Sequence, residues 1–105
     1  MSLYERKRVV VTGMGVMSPL GETVEQYWDG LINGRSGVGP MTLCDPKDYP
    51  CQVAGEVRGF DPEQYINPKE ARRMARFSQL ATAAAMRALE DSGLNLSLEE
   101  PHRLG

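Results

Sequence analysis

Three glycines, two cysteines, one histidine and a cluster of four cations are the residues with chemistry to offer. In "VVVTGMGVMSPLG", Val9 to Gly21, an apolar run leads into Gly13, Gly15 and Gly21, and a strand followed by G-x-G is how a dinucleotide-binding turn begins. The third position of G-x-G-x-x-G is Ser18, with Pro19 behind it. A glycine there would let helix and strand pack closely, and the helix N-terminus beside it would meet the phosphate. Thr23 and Gln26 instead form a T-x-x-Q capping box ahead of Val24, Tyr27, Trp28, Leu31 and Ile32 at helical spacing, so the helix starts well past the glycines. The acid wanted about 20 positions on for the ribose is also missing: that stretch is "NGRSGVGP". The glycines are read as turning the chain, with no cofactor bound.

Cys44 and Cys51 have six residues between them and no histidine nearby, which fits neither a zinc-ligand nor a C-x-x-C redox spacing. They read as reduced, incidental thiols, a disulfide being unsupported. His102, the single histidine, lies in a polar tail and reads as solvated, so no metal site is assembled.

Lys69, Arg72, Arg73 and Arg76 fall at i, i+3, i+4 and i+7, which on one helix places all four on one face. Like charges at such spacings disfavour a helix by about 0.2–0.5 kcal/mol per pair. Cations near a helix N-terminus oppose its dipole by about 0.3–1 kcal/mol, and only Glu70 offsets them. The stripe is either paired with carboxylates elsewhere, solvated, or a docking site for an anionic partner. Nucleic acid is the poorer partner, because the stripe lacks stacking aromatics and the chain a basic balance.

The elements that must carry these residues are read as follows. A strand is expected at about 8–12, a helix at about 24–33 stopped by Gly34, and a Gly- and Pro-rich loop to Pro50. A short strand is expected within "QVAGEV" at 52–57, and a brief helix from Asp61-Pro62. Asn67 as N-cap, Pro68 at the first position and Glu70 at the third open a helix expected to run unbroken to Ser92 and end at Gly93. Val9, Val10 and Val11 are apolar on both faces, as in strands inside parallel sheets. The alanines at 81, 83, 84, 85 and 88 spread around the helix axis, as in a helix buried on several sides.

With 105 residues the chain makes at most one domain. Its 41% hydrophobic and 25% charged residues are ordinary for a globular protein, and its formal net charge of -2 argues against bulk nucleic-acid binding. No apolar stretch nears the roughly 18 residues of a membrane span, and no leader pattern is visible, so no membrane association and a cytoplasmic location are expected. Met1-Ser2-Leu3 is compatible with a cloning scar.

The segments "KRVVVTGMGVMSPLG", "YWDGLINGRSGVGP", "AGEVRGFDPEQYI", "KEARRMARF" and "AMRALEDSGL" together resemble, in order and spacing, the N-terminal part of the β-ketoacyl-acyl-carrier-protein synthase II family. These are condensing enzymes of fatty acid synthesis. The resemblance spans nearly the whole chain and implies an α/β, thiolase-like fold layered αβαβα. Residues 1–105 would be the N-terminal segment of the N-terminal domain, incomplete alone. Val9–Val11 would begin its first sheet and the alanine-rich helix would lie between sheets. The resemblance further implies elongation by decarboxylative condensation with malonyl acyl carrier protein, and a homodimeric enzyme. Its cysteine nucleophile and two histidines lie downstream; Cys44, Cys51 and His102 match none of them, so this chain alone is expected to be inactive. Lys69, Arg72 and Arg73 match the family's basic positions that receive the acidic carrier protein, with Arg76 a weaker match and Ala75 standing where many relatives have aspartate. A polyketide ketosynthase or chain-length-factor-like subunit is the alternative, and a stand-alone module binding an acidic protein through a basic helix a more remote one.

Overall fold

The computed structural model describes residues 5–105, so Met1-Ser2-Leu3 lies outside the described residues. Helix α1 spans Val24–Ile32. The Thr23 hydroxyl accepts from the Gln26 N–H at 3.1 Å. The reciprocal bond of the capping box is shifted by one residue, the Gln26 carboxamide oxygen accepting from Glu22 N–H at 2.9 Å. Gly34, in the left-handed region at φ 65°, ends the helix.

Strand β1, Val38–Pro40, pairs antiparallel with β2, Val53–Gly55, in the register Val38 to Gly55, Gly39 to Ala54 and Pro40 to Val53. β2 falls inside the expected segment. β1 lies in what reads from sequence as loop, because three residues containing a glycine and a proline carry no strand signal of their own. A 3-10 turn, Pro62–Gln64, is opened by Asp61, whose carboxylate accepts from Glu63 N–H at 3.0 Å.

The helix expected from Pro68 to Ser92 is instead two helices: α2, Pro68–Ala71, and α3, Arg76–Ser92. Both outer ends are as expected, with the Asn67 side chain accepting from Lys69 N–H at 3.0 Å and Gly93 left-handed at φ 67°. Short 3-10 turns at Leu96–Leu98 and Pro101–Arg103 follow.

Gly13 and Gly15 lie flush on α3. A Cβ on Gly15 would collide with the Ala84 carbonyl and stand 2.7 Å from Ala88 N; one on Gly13 would collide with the Ala88 carbonyl and stand 2.5 Å from Ser92 N. The small residues of α3 thus admit a second backbone, and the glycines serve close approach as well as turning. The Asp91 carboxylate accepts from Met14 N–H at 2.9 Å and fastens the same junction.

No strand forms at 8–12. A strand needs a neighbour for its N–H and C=O groups, and β1 and β2 pair with each other, leaving Val9 92% exposed. Among the described residues the buried hydrophobic side chains are Phe60, Ile66, Ala71 and Ala83. The radius of gyration is 18.4 Å, against about 13 Å for a compact domain of this length, so the elements form an extended frame around a small core.

Candidate functional site: a broken helix with unpaired cations

The break between α2 and α3 decides where the four cations go. Ala75 is extended at φ -66°, ψ 153° and caps α3 without a side-chain hydrogen bond. The turn is carried by Arg73 N–H to Glu70 C=O at 3.0 Å and Met74 N–H to Ala71 C=O at 3.1 Å. The Gln79 carboxamide donates to the Ala71 carbonyl at 2.8 Å, bridging the break from the α3 side. Lys69 therefore lies in α2, Arg72 is its C-cap, Arg73 is in the turn and Arg76 opens α3. The single-face stripe expected from i, i+3, i+4 and i+7 does not form, since the repulsive spacings belong to two helices and a turn.

The arginines divide into two kinds. Arg76 Nη2 donates to the Val57 carbonyl at 2.7 Å, with its guanidinium 5.7 Å from the centre of the Phe60 ring. Arg58 donates to Pro40 C=O at 2.8 Å, and Arg87 Nε donates to the Tyr65 hydroxyl at 2.8 Å. By contrast, Lys69, Arg72 and Arg73 are exposed, and among the described residues their side chains have neither hydrogen bond nor ion pair. The first turn of α3 holds no acid. The three cations and an uncapped helix start thus share one positive neighbourhood suited to an anionic surface.

The glycine turn has the opposite character. Ser18 N–H bonds to Gly21 C=O and Gly21 N–H to Ser18 C=O, both at 3.1 Å, and Leu20 N–H is taken by the Ser18 hydroxyl at 3.2 Å. A cavity of about 300 Å³ beside it is bordered by Glu22, Glu25, Glu90 and Asp91, with Arg87 the cation among its lining residues. Spent N–H groups and a surplus of carboxylates are the reverse of a phosphate cradle.

Cys44 and Cys51 are exposed free thiols, and His102 pairs with Glu100 at 3.4 Å on the surface. Among the described residues no cluster of three or more His, Cys, Asp or Glu is arranged to hold a metal ion.

Glu56, which the sequence did not single out, is the one buried charged residue described. Its carboxylate accepts from the N–H groups of Thr42 and Leu43, both at 2.8 Å, and stands 3.7 Å from Arg58. Burial pushes this carboxyl up, but those two N–H donors, the Thr42 hydroxyl and the Arg58 charge together hold it below its ordinary value. It fastens the start of the 41–52 loop to β2. The only signal in the sequence is an acid directly after an apolar strand.

A sequence profile of the family described as "Beta-ketoacyl synthase, N-terminal domain" matches residues 6–105. The chain is 47% identical over 94 residues to 3-oxoacyl-[acyl-carrier-protein] synthase 2 of Synechocystis sp., covering 90% of this chain and 23% of that protein. It is 47% identical over 100 residues to the protein of the same name from Vibrio cholerae, covering 95% and 24%. A solved structure, the ishigamide ketosynthase/chain length factor, superposes with a TM-score of 0.81 at 42% identity over 89% of this chain and 23% of that one. The chain spans about a quarter of the length of these relatives. On the match of 6–105 and these identities, the chain belongs to the β-ketoacyl synthase family, within the family's N-terminal domain.

Proposed function

We propose that residues 1–105 are the N-terminal segment of the N-terminal domain of a 3-oxoacyl-acyl-carrier-protein synthase, and that Lys69, Arg72 and Arg73 receive the acidic face of acyl carrier protein. The observation that carries the docking site is that Lys69, Arg72 and Arg73, three exposed cations within five residues at the helix break, have no internal partner among the described residues, whereas the neighbouring Arg76 is engaged. Relatives named for acyl carrier protein, 41–47% identical, supply the partner's chemistry.

In the whole enzyme the acyl chain would be elongated by decarboxylative condensation with malonyl carrier protein in fatty acid biosynthesis. The cysteine and histidines of that reaction would come from outside this segment. The exposed Val9–Val11 run would enter a first sheet of a thiolase-like αβαβα layering, with α3 between layers. The exposed apolar side of α3, with Phe77 76% exposed, supports that placement. A homodimer in the cytoplasm goes with the same proposal; among the described residues no helix is long and apolar enough to cross a membrane.

The test is condensation by the whole enzyme of a saturated acyl carrier protein with malonyl carrier protein. Equal amounts of carbon dioxide and 3-oxoacyl carrier protein support the proposal. The structural likeness to a ketosynthase/chain length factor favours a second reading, a polyketide subunit. An inactive protein that restores condensation only when mixed with a separate ketosynthase subunit would select it.

A further inference from the structure

We propose that Arg76 is a positioning residue for carrier-protein docking, one that holds the helix break so that Lys69, Arg72 and Arg73 are presented together. This rests on the docking reading above. From sequence Arg76 is the fourth cation of a stripe, but its guanidinium is already committed. It donates to Val57 C=O at 2.7 Å and lies 5.7 Å from the Phe60 ring centre, a geometry in which a cation is held by the face of the ring.

Phe60 stacks on Tyr65 with ring centres 6.1 Å apart, and Arg87 sits 5.5 Å from the Tyr65 ring centre while bonding its hydroxyl. Arg76 and Arg87 are both on α3, and a separation of eleven residues returns a helix to the same face after about three turns. The two arginines therefore bracket a pair of stacked rings and tie the 57–65 connection to α3 at two levels. Arg76 is the upper bracket, next to the break. Three residues on, Gln79 holds the end of α2 through Ala71 C=O. Between these two anchors the chain at 72–75 has little freedom, and the directions of Arg72 and Arg73 follow from it.

A direct docking cation and a positioning residue differ in additivity, since groups acting through one another fail to add. In the whole enzyme, Arg76→Ala and, separately, Phe60→Leu are each made in the native background and in a Lys69→Ala, Arg72→Ala, Arg73→Ala background. KM for acyl carrier protein and its dependence on salt are then measured. Each single change should raise KM by about three- to tenfold in the native background and by less than about twofold in the triple background. Phe60→Leu is the sharper probe, because it removes the shelf under Arg76 while leaving every charge in place. If Arg76→Ala costs the same factor in both backgrounds and Phe60→Leu leaves KM unchanged, Arg76 meets the partner directly and the inference falls. If the triple change alone leaves KM and its salt dependence untouched, the docking reading itself falls, and the positioning role with it.

Discussion

The Ala71 carbonyl oxygen accepts a 2.8 Å hydrogen bond from the side chain of Gln79, eight residues on. In an unbroken helix that acceptor would face the N–H of residue 75, but Ala75 has turned into the extended region. The Met74 N–H takes that acceptor at 3.1 Å and the Gln79 side chain adds a second donor from the next helix, so the chain breaks beside the buried Ala71 at small cost in hydrogen bonding.

Gln79→Met, similar in size but without the donor, should therefore destabilise the whole protein by about 1 kcal/mol, the usual worth of one such bond. Hydrogen exchange should speed up at residues 71–76 in particular. Unchanged exchange there would mean that the break is held by other contacts.

Replacing Lys69, Arg72 and Arg73 together by glutamate should lower the rate with carrier-bound substrate relative to a small uncharged thioester by at least about tenfold, through lost steering and added repulsion. Arg72 and Arg73 precede the start of α3, where acids suit the helix dipole by about 0.3–1 kcal/mol, so the melting temperature should hold or rise. A lower melting temperature with equal losses on both substrates would make the patch structural.

Gly15→Ala should cost about 1–3 kcal/mol, because the added carbon meets the backbone of α3 and not a side chain able to turn aside. Denaturation midpoints of the whole protein measure this. A neutral result would mean that the glycine serves the turn alone.

Calorimetric titration with NAD or NADP should give no saturable heat, since the N–H groups of the Ser18–Gly21 turn are taken and carboxylates border the neighbouring cavity. Micromolar binding displaced by pyrophosphate would reverse this view of the glycine turn.

Glu56 sets an acid limit. Its carboxyl is depressed in the folded state from an ordinary value of 4.5, so its contribution is present above that pH and is lost as the pH falls through the lower folded value. Urea midpoints should fall more steeply below about pH 4.5 for the native protein than for Glu56→Gln, which should be the less stable of the two at neutral pH. Parallel curves would show that the carboxylate does not hold the loop.

Residues 1–105 alone should unfold without a steep cooperative transition. Among the described residues, four buried apolar side chains and a Trp28 that is 62% exposed leave little to act in concert. A sharp two-state curve from a monomer would favour the stand-alone module.

The features legible in the sequence were those decided within a few residues. Thr23, Asp61 and Asn67 cap their own helices, and Gly34 and Gly93 end theirs, because the bonds concerned span two to four positions. The break at 72–75 was not legible. Its anchors come from Val57, nineteen residues before Arg76, and from the ring of Phe60, while the local sequence between Pro68 and Gly93 contains no helix breaker. The same distance effect hid which cations were engaged: Arg72, Arg73 and Arg76 look alike until the partners of Arg76 are in place. The strand expected at about 8–12 rests on pattern alone, and a pattern cannot supply the neighbouring strand its backbone needs.

The seating of Gly13 and Gly15 on α3 has a mechanical side. At 17 residues α3 is a strut about 26 Å long, gripped near Arg76 by a carbonyl and a ring and near Ser92 by bare backbone. Side chains yield by changing rotamer, but two backbones in contact have no such give. The helix break and the glycine segment are thereby held at a spacing set by the backbone of one helix.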